Sequence, residues 1–588
     1  MNGDLAREAY PGLSMKQERK FNAMQFFYWV VLAITAYFVL TPILMLLFSS
    51  VSSKEGLLPF EELTLTFDNY WRVLTDPLTY KLLYNTAIFT VGSMAIGISI
   101  AVFLAWVTER SSLPGRKVIY ALIMIPMAIP SMVYAISWTQ LLNPKTGMLN
   151  VLLQAIFGFE TGPFNVYSLG GMIFVQGILI VPTAFLMIAA TFSTLDPTLE
   201  EQSSICGRSL LATIRKVTVP ILRPSLLSAI IFFTIVSIES FEVPGTLGLT
   251  SRIAVLSTQI YFVTHSSSGA LPDYGMASAL GAMLLVFAFI LVWIYQRMTK
   301  NVERFATVTG KGYRPKPISL GKWKPAVVSL IWLYVILSVM LPFLTLVWAS
   351  LHPFYVTPSW EALKNSSIDA YKLVLDHPGL SSIIWNTLFM SVVSGLITVL
   401  LVALIAWMVV RGPYSRRASR ALDTLSFLGQ AAPAVVIGLA LMFFYVYLPL
   451  PIYGTIWILI IGMVTKYIAF GSRTLISSQI QISKELEEAS QISGASWLKT
   501  MGRVQFPLLM PAIVNCFFWV AIHAMRELSV VIMLYSPKTL VLSTTIWNFW
   551  EGGWTAQAAV LGVFMIVLLG LIFYGSQVLI TRLSSSRG

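Results

Sequence analysis

Two acidic stretches, and a few charges set inside apolar runs, are where this chain could do chemistry. Residues 199–207 read LEEQSSICG and residues 486–494 read LEEASQISG; in each copy a proline follows the glycine, Pro220 after Gly207 and Pro507 after Gly494. Apolar runs elsewhere contain Glu239 and Glu242, in SIESFEVPG, and His523, Arg526 and Glu527, in HAMRELSV. A charge in hydrocarbon is costly unless it faces water or a partner, so these five residues predict a translocation path or gate, or a clamp between helices. At a shift of 287 residues Glu239 aligns with Arg526, and an ion pair between them would offset much of the cost. Carboxylates suit a hard cation, but three acids and one arginine specify no ligand, and a metal set stays unassigned. A lone helix histidine such as His523 reads first as packing, and Lys466 as a residue that snorkels or pairs.

Enzyme chemistry has little support. No GxxxxGK[ST] phosphate cradle occurs, so ATP is not hydrolysed by this chain. Four histidines are scattered, and Cys206 and Cys516 make no disulfide framework.

The elements that must position these residues are membrane helices. The chain has 588 residues, 56% hydrophobic and 11% charged, with a mean hydropathy of +0.77. A surface so short of charge needs lipid as its main solvent. Twelve spans can be drawn, near 26–49, 83–108, 117–140, 169–192, 225–246, 277–298, 326–350, 383–410, 421–446, 452–477, 512–535 and 556–580. Each is long enough to cross a bilayer, and strands would leave backbone groups unpaired in lipid. The fold class is therefore all-α, a polytopic membrane protein of about 12 transmembrane helices.

The formal net charge of +13 comes from loops on one side of the spans. Lys16, Arg19 and Lys20, then Arg110, Arg116 and Lys117, then Arg411, Arg416, Arg417 and Arg420 follow the positive-inside bias and put both termini in the cytoplasm. Few aromatics lie among them, so nucleic acid is not an expected partner. The polar start of the chain shows no cleavable signal peptide.

The chain is also duplicated. Tyr70, Asn85-Thr86, Ala105-Trp106 and Arg110 recur 301 residues later as Tyr371, Asn386-Thr387, Ala406-Trp407 and Arg411. Residues 195–224 align without a gap to 482–511, with 13 identities in 30 positions. Boundaries follow: a tail 1–25, a first half 26–298 holding the loop 195–224, a basic linker 299–324, and a second half 325–581 holding the loop 482–511. Each loop reads as a short helix, a glycine turn, and a second helix started by Ser209 or Ser496 and ended by Pro220 or Pro507. Two amphipathic surface helices without a partner would be the plainer reading of one copy, but two copies at matched spacing weaken it.

This pattern resembles the "EAA" loop of the inner-membrane permeases of binding-protein-dependent ABC importers. It stands here as Glu201-Gln202-Ser203, Gly207 and Val217-Thr218-Val219-Pro220, and as Glu488-Ala489-Ser490, Gly494 and Val504-Gln505-Phe506-Pro507. Gln202 and Phe506 depart from the family's pattern. The resemblance implies a fused, two-half permease of the type I ABC importer fold. In that family the loop docks on an ATPase subunit, which assigns Glu200, Glu201, Gly207, Pro220, Glu487, Glu488, Gly494 and Pro507 to coupling. It also implies an ATPase dimer on the cytoplasmic face that uses the ATP, an external substrate-binding protein, one copy of this chain, and no cofactor bound by the chain itself. The motifs SFEVPG and RELSVVIMLYSP look most like the ferric-iron branch; phosphonate, thiamine, sugar phosphate or polyamine permeases remain as alternatives. A 12-helix secondary transporter is the rival from another class, and it gives no reason for two such loops.

Overall fold

The fold is that of a computed structural model, which describes residues 11–52, 56–61, 64–194, 198–265, 271–299, 318–412 and 414–585. Residues 1–10 of the predicted tail, 300–317 of the predicted linker and 195–197 at the start of the first loop lie outside the described residues.

Among the described residues nine helices are long and apolar enough to cross a membrane, and twelve if each of three bent pairs counts as one span. Eight of the predicted spans are single long helices, such as Pro77–Arg110, Leu169–Phe192 and Leu380–Val410. The first helix begins at Pro11, so part of the predicted tail continues the first span.

Four spans differ from the sequence reading. The third and ninth are broken into Arg116–Ala128 with Ser131–Leu142, bent by 95°, and Arg416–Ala431 with Ala434–Tyr447, bent by 102°. Pro130 and Pro433 stand at the breaks, in extended backbone ahead of each following helix, where a missing N–H and a clashing ring stop a straight helix. The fifth and eleventh spans stop early, at Ile238 and Arg526, and the chain turns through irregular backbone into Glu242–Ser251 and, in the second half, Leu542–Glu551. Carbonyls freed there are met by side chains. Ser257 Oγ donates to the Ser240 carbonyl at 2.6 Å, and Ser543 Oγ to that of Glu527 at 2.8 Å. Such backbone is tolerated at membrane depth only where protein or a cavity surrounds it.

The duplicated residues make duplicated bonds. Tyr70 and Tyr371 hydroxyls meet Ser50 and Ser350 at 2.7 and 2.8 Å. Asn85 and Asn386 donate to the carbonyls of Ala254 and Leu540 at 3.0 and 3.1 Å. Thr86 and Thr387 accept from the amides of Leu256 and Leu542 at 3.0 and 2.8 Å. The long helices sit close: a Cβ on Gly97 would lie 2.7 Å from the Gly177 carbonyl. Small residues allow this approach, which in lipid substitutes for the hydrophobic drive.

Candidate functional site

Each acidic repeat folds into an elbow. Thr198–Ile205 and Lys484–Ile492 are helices that end at Gly207 and Gly494, with φ of 76° and 81°. The Arg208 amide returns to the Ser203 carbonyl at 3.2 Å and that of Ala495 to Ser490 at 3.1 Å, the six-to-one closure of a left-handed helix cap. No atom lies within 4 Å of a Cβ built on either glycine, so it is the backbone angle and not space that asks for glycine. The angle is then locked by side chains. Ser203 pairs with Thr213 at 2.9 Å, and Ser490 with Thr500 at 3.0 Å.

The prolines do not end the second helix, contrary to the sequence reading. Leu210–Thr213 and Trp497–Thr500 run on through π turns, Ile214–Thr218 and Met501–Gln505, into the next spans. Val219 and Phe506 donate five residues back, to Ile214 and Met501, so Pro220 and Pro507 open the spans at a position where no N–H is missed. Ser209 caps loosely, accepting from Ala212 N at 3.4 Å.

The four acids divide into two kinds. Glu200 and Glu487 face inward, latched to the arginines that end two long spans: Arg110 Nε lies 3.5 Å from Glu200, and Arg411 Nε 2.6 Å from Glu487. Thr218 adds a bond to Glu200 at 2.6 Å. Glu488 is exposed and Glu201 half-buried. Each elbow also exposes an apolar side chain. Ile205 is 83% exposed and Ile492 87%. A single exposed isoleucine is ordinary; here the same residue is exposed at the same place in both elbows. Sequence reasoning did not single out this exposed pair, although both residues stand among the thirteen identities.

The predicted intramembrane residues converge. Glu239, Glu242, His523, Arg526 and Glu527 all line one cavity of about 350 Å³ between the halves. Their partners differ from the sequence expectation. Glu239 and Arg526 make no ion pair; Arg526 Nη1 donates to the Met127 carbonyl at 2.5 Å, and the Glu239 side chain has no hydrogen bond or ion pair to a described residue. The pair that forms is Lys466 with Glu527, at 2.6 Å, with the Tyr467 hydroxyl on the same oxygen at 3.1 Å. The helix break explains the switch: with the helix stopped at Arg526, Glu527 is in extended backbone and points back to the helix Ile456–Gln481.

Glu242 sits in the first turn of its helix, where the dipole favours an anion. It accepts from Ser529 Oγ at 2.8 Å, and Ser529 is its own repeat counterpart 287 residues on. A residue bonded to its counterpart lies on the pseudo-two-fold axis, so the cavity straddles that axis. His523 packs as expected, stacked on Trp519 at 3.9 Å, which stacks on Phe470 at 3.4 Å. Its Nδ1 is 2.8 Å from the Trp519 carbonyl; a carbonyl only accepts, so Nδ1 carries a proton. Three carboxylates face two cations here. Among the described residues no three His, Cys, Asp or Glu side chains converge as a metal cage.

Comparison with known proteins agrees with the duplicated architecture. The chain is 27% identical over 577 residues to a ferric transport system permease protein, FbpB, of Actinobacillus pleuropneumoniae, covering 97% of this chain and 80% of that one. A putative ferric transport system permease protein, FbpB 1, of Haemophilus influenzae is 27% identical over 518 residues, covering 87% and 78%. The trehalose/maltose transport system permease protein MalF of Thermococcus litoralis is 26% identical over 283 residues, covering 45% of this chain and 90% of its own, so one half answers to nearly a whole relative. Residues 93–304 and 408–585, one stretch in each half and each containing an elbow, match a single family, and the chain therefore belongs to the binding-protein-dependent transport system inner membrane components.

Proposed function

We propose that this chain is the membrane-spanning subunit of an ATP-driven importer, receiving ferric iron from an external binding protein and passing it through the axial cavity. Both termini and both elbows face the cytoplasm, and each elbow engages one subunit of an ATPase dimer that supplies the energy. One observation carries the reading: two elbows with the same glycine angle, the same Ser–Thr lock, the same Arg–Glu latch and the same exposed isoleucine. Two equal handles fit a two-fold-symmetric motor.

The latch gives that motor something to move. Glu200 holds Arg110 at the end of the helix Pro77–Arg110; Thr86 on that helix holds Leu256, and Ser257 holds the Ser240 carbonyl beside Glu239 and Glu242. Glu487, Arg411, Thr387, Leu542 and Ser543 repeat the route to the Glu527 carbonyl. A shift of either elbow is thus passed along one stiff helix to the backbone around the cavity, a rigid-body switch rather than a local rearrangement. Iron is favoured by the likeness to ferric permeases over most of the chain.

Proteoliposomes holding the chain, its co-purified ATPase subunit and its binding protein should take up radioactive ferric iron only with ATP inside the coupling compartment. Uptake driven by a proton gradient after ATP depletion, with no ATPase subunit co-purifying, would overturn the importer reading. ATP-coupled uptake of another solute but not iron would overturn the substrate alone.

A further inference from the structure

The helix Arg416–Leu428 has a face that the transport reading leaves unused. Its inner side is pinned. Leu422 and Ser426 are fully buried, Tyr28 donates to the Ala418 carbonyl at 3.0 Å, Asp423 pairs with Arg473 at 3.0 Å, and Arg473 covers the Phe427 ring at 4.4 Å. The outer side carries a stripe at helical spacing. Arg417 and Arg420 come first, then Ala421 and Thr424, then Leu425 and Leu428, and together they line a shallow groove. Charge thus gives way to apolar surface along about 16 Å of helix.

The other half shows what is unusual here. The matching helix of the first half also starts with an arginine, Arg116, and there it is ion-paired with Glu109. Position 410, the counterpart of 109, is Val410. Among the described residues no carboxylate pairs with Arg416, Arg417 or Arg420. The bend of 102° to Ala434–Tyr447 means that both arms cannot follow the membrane normal. Arg416 follows within six residues of Val410, where a long span ends, so the arginines sit at a membrane surface.

We propose that this stripe binds an anionic phospholipid of the adjoining leaflet. The Arg417 and Arg420 guanidinium groups take the phosphate, for which their planar donor forks are suited, and Ala421, Leu425 and Leu428 run along the upper acyl chain. The apolar continuation is what favours a lipid over a soluble anion or an acidic protein surface.

The test uses the full chain in mild detergent, with phosphatidylglycerol, phosphatidylcholine of the same acyl chains, and inorganic phosphate as probes, read by native mass spectrometry. Phosphatidylglycerol should be retained about tenfold over phosphatidylcholine or better, inorganic phosphate should not displace it, and R417Q/R420Q should reduce retention to the phosphatidylcholine level with an unchanged melting temperature in lipid-free detergent. The R116Q variant serves as the control and should retain phosphatidylglycerol as the native chain does. Equal retention of the two lipids, retention unaffected by R417Q/R420Q, or displacement by inorganic phosphate would each overturn the proposal. So would loss of a co-purifying protein in R417Q/R420Q with lipid retention intact, which would assign the arginines to a protein contact.

Discussion

In the elbows, positions related by 287 residues hold the same side chains in the same bonds: Ser203 with Thr213 and Ser490 with Thr500, at 2.9 and 3.0 Å. Around the cavity, the same shift sets Glu239 against Arg526, Ser240 against Glu527, and Glu242 against Ser529. The difference follows from where each region lies relative to the pseudo-axis. The elbows lie off it, so in the reading proposed above each would meet its own copy of a partner, and likeness is useful. Residues on the axis meet their own counterparts. In a dimer of identical chains Glu242 would face a second Glu242, two carboxylates in contact. Fusing two unequal halves replaces one with Ser529, a donor, at 2.8 Å. It also lets Lys466 answer Glu527 where the first half carries Leu179.

The largest departure from symmetry should come from that pair. Glu527→Gln leaves the half-buried Lys466 ammonium without its direct counter-ion, a loss of about 1–3 kcal/mol, and Glu527→Gln with Lys466→Met should recover most of it. Thermal unfolding of the purified chain checks this; an unchanged melting temperature in the single variant would dissolve the contrast between cavity and elbows.

Next come the elbows, where the two copies should respond alike. Gly207→Val and Gly494→Val each force a β-branched residue to positive φ, at about 1–2 kcal/mol, and each should cut ATP-coupled uptake about tenfold while membrane insertion is retained. If one variant transports normally and the other does not, the elbows are unequal and the symmetric docking is wrong.

Ser529→Ala removes the bond on the axis and should cost about 1 kcal/mol in unfolding. Equal stability with and without Oγ would mean that the Glu242 contact is incidental. Smallest in stability is Glu239→Gln, within about 0.5 kcal/mol because no partner is lost, yet uptake should fall if Glu239 faces the substrate. A large drop in melting temperature with normal uptake would make it a clamp instead.

Much of this could be read from the sequence because its signals are periodic or repeated. Apolar runs long enough to span, two acidic stretches at one shift and charges inside hydrocarbon need no partner to be seen. The breaks at Pro130 and Pro433 were half visible, since proline marks a bend without giving its angle. The early ends at Ile238 and Arg526 were not, because local preference favours helix onward and only the distant hydroxyls of Ser257 and Ser543 make the alternative affordable. Pairing also escaped the repeat. Alignment puts Glu239 with Arg526, whereas geometry joins Glu527 to Lys466 on another helix. The exposed Ile205 and Ile492 were hidden in plain hydrophobic periodicity, which cannot distinguish a buried isoleucine from an exposed one.

Cys206 offers the most direct test of the central claim, that the elbows point into the cytoplasm and are gripped there. It is exposed beside Gly207, while the other thiol, Cys516, is buried. A membrane-impermeant maleimide should leave the native chain unlabelled in intact spheroplasts, label it in inverted vesicles stripped of the ATPase subunit, and lose that labelling when the subunit is restored. Labelling of intact spheroplasts, or labelling of inverted vesicles indifferent to the ATPase subunit, would contradict the account.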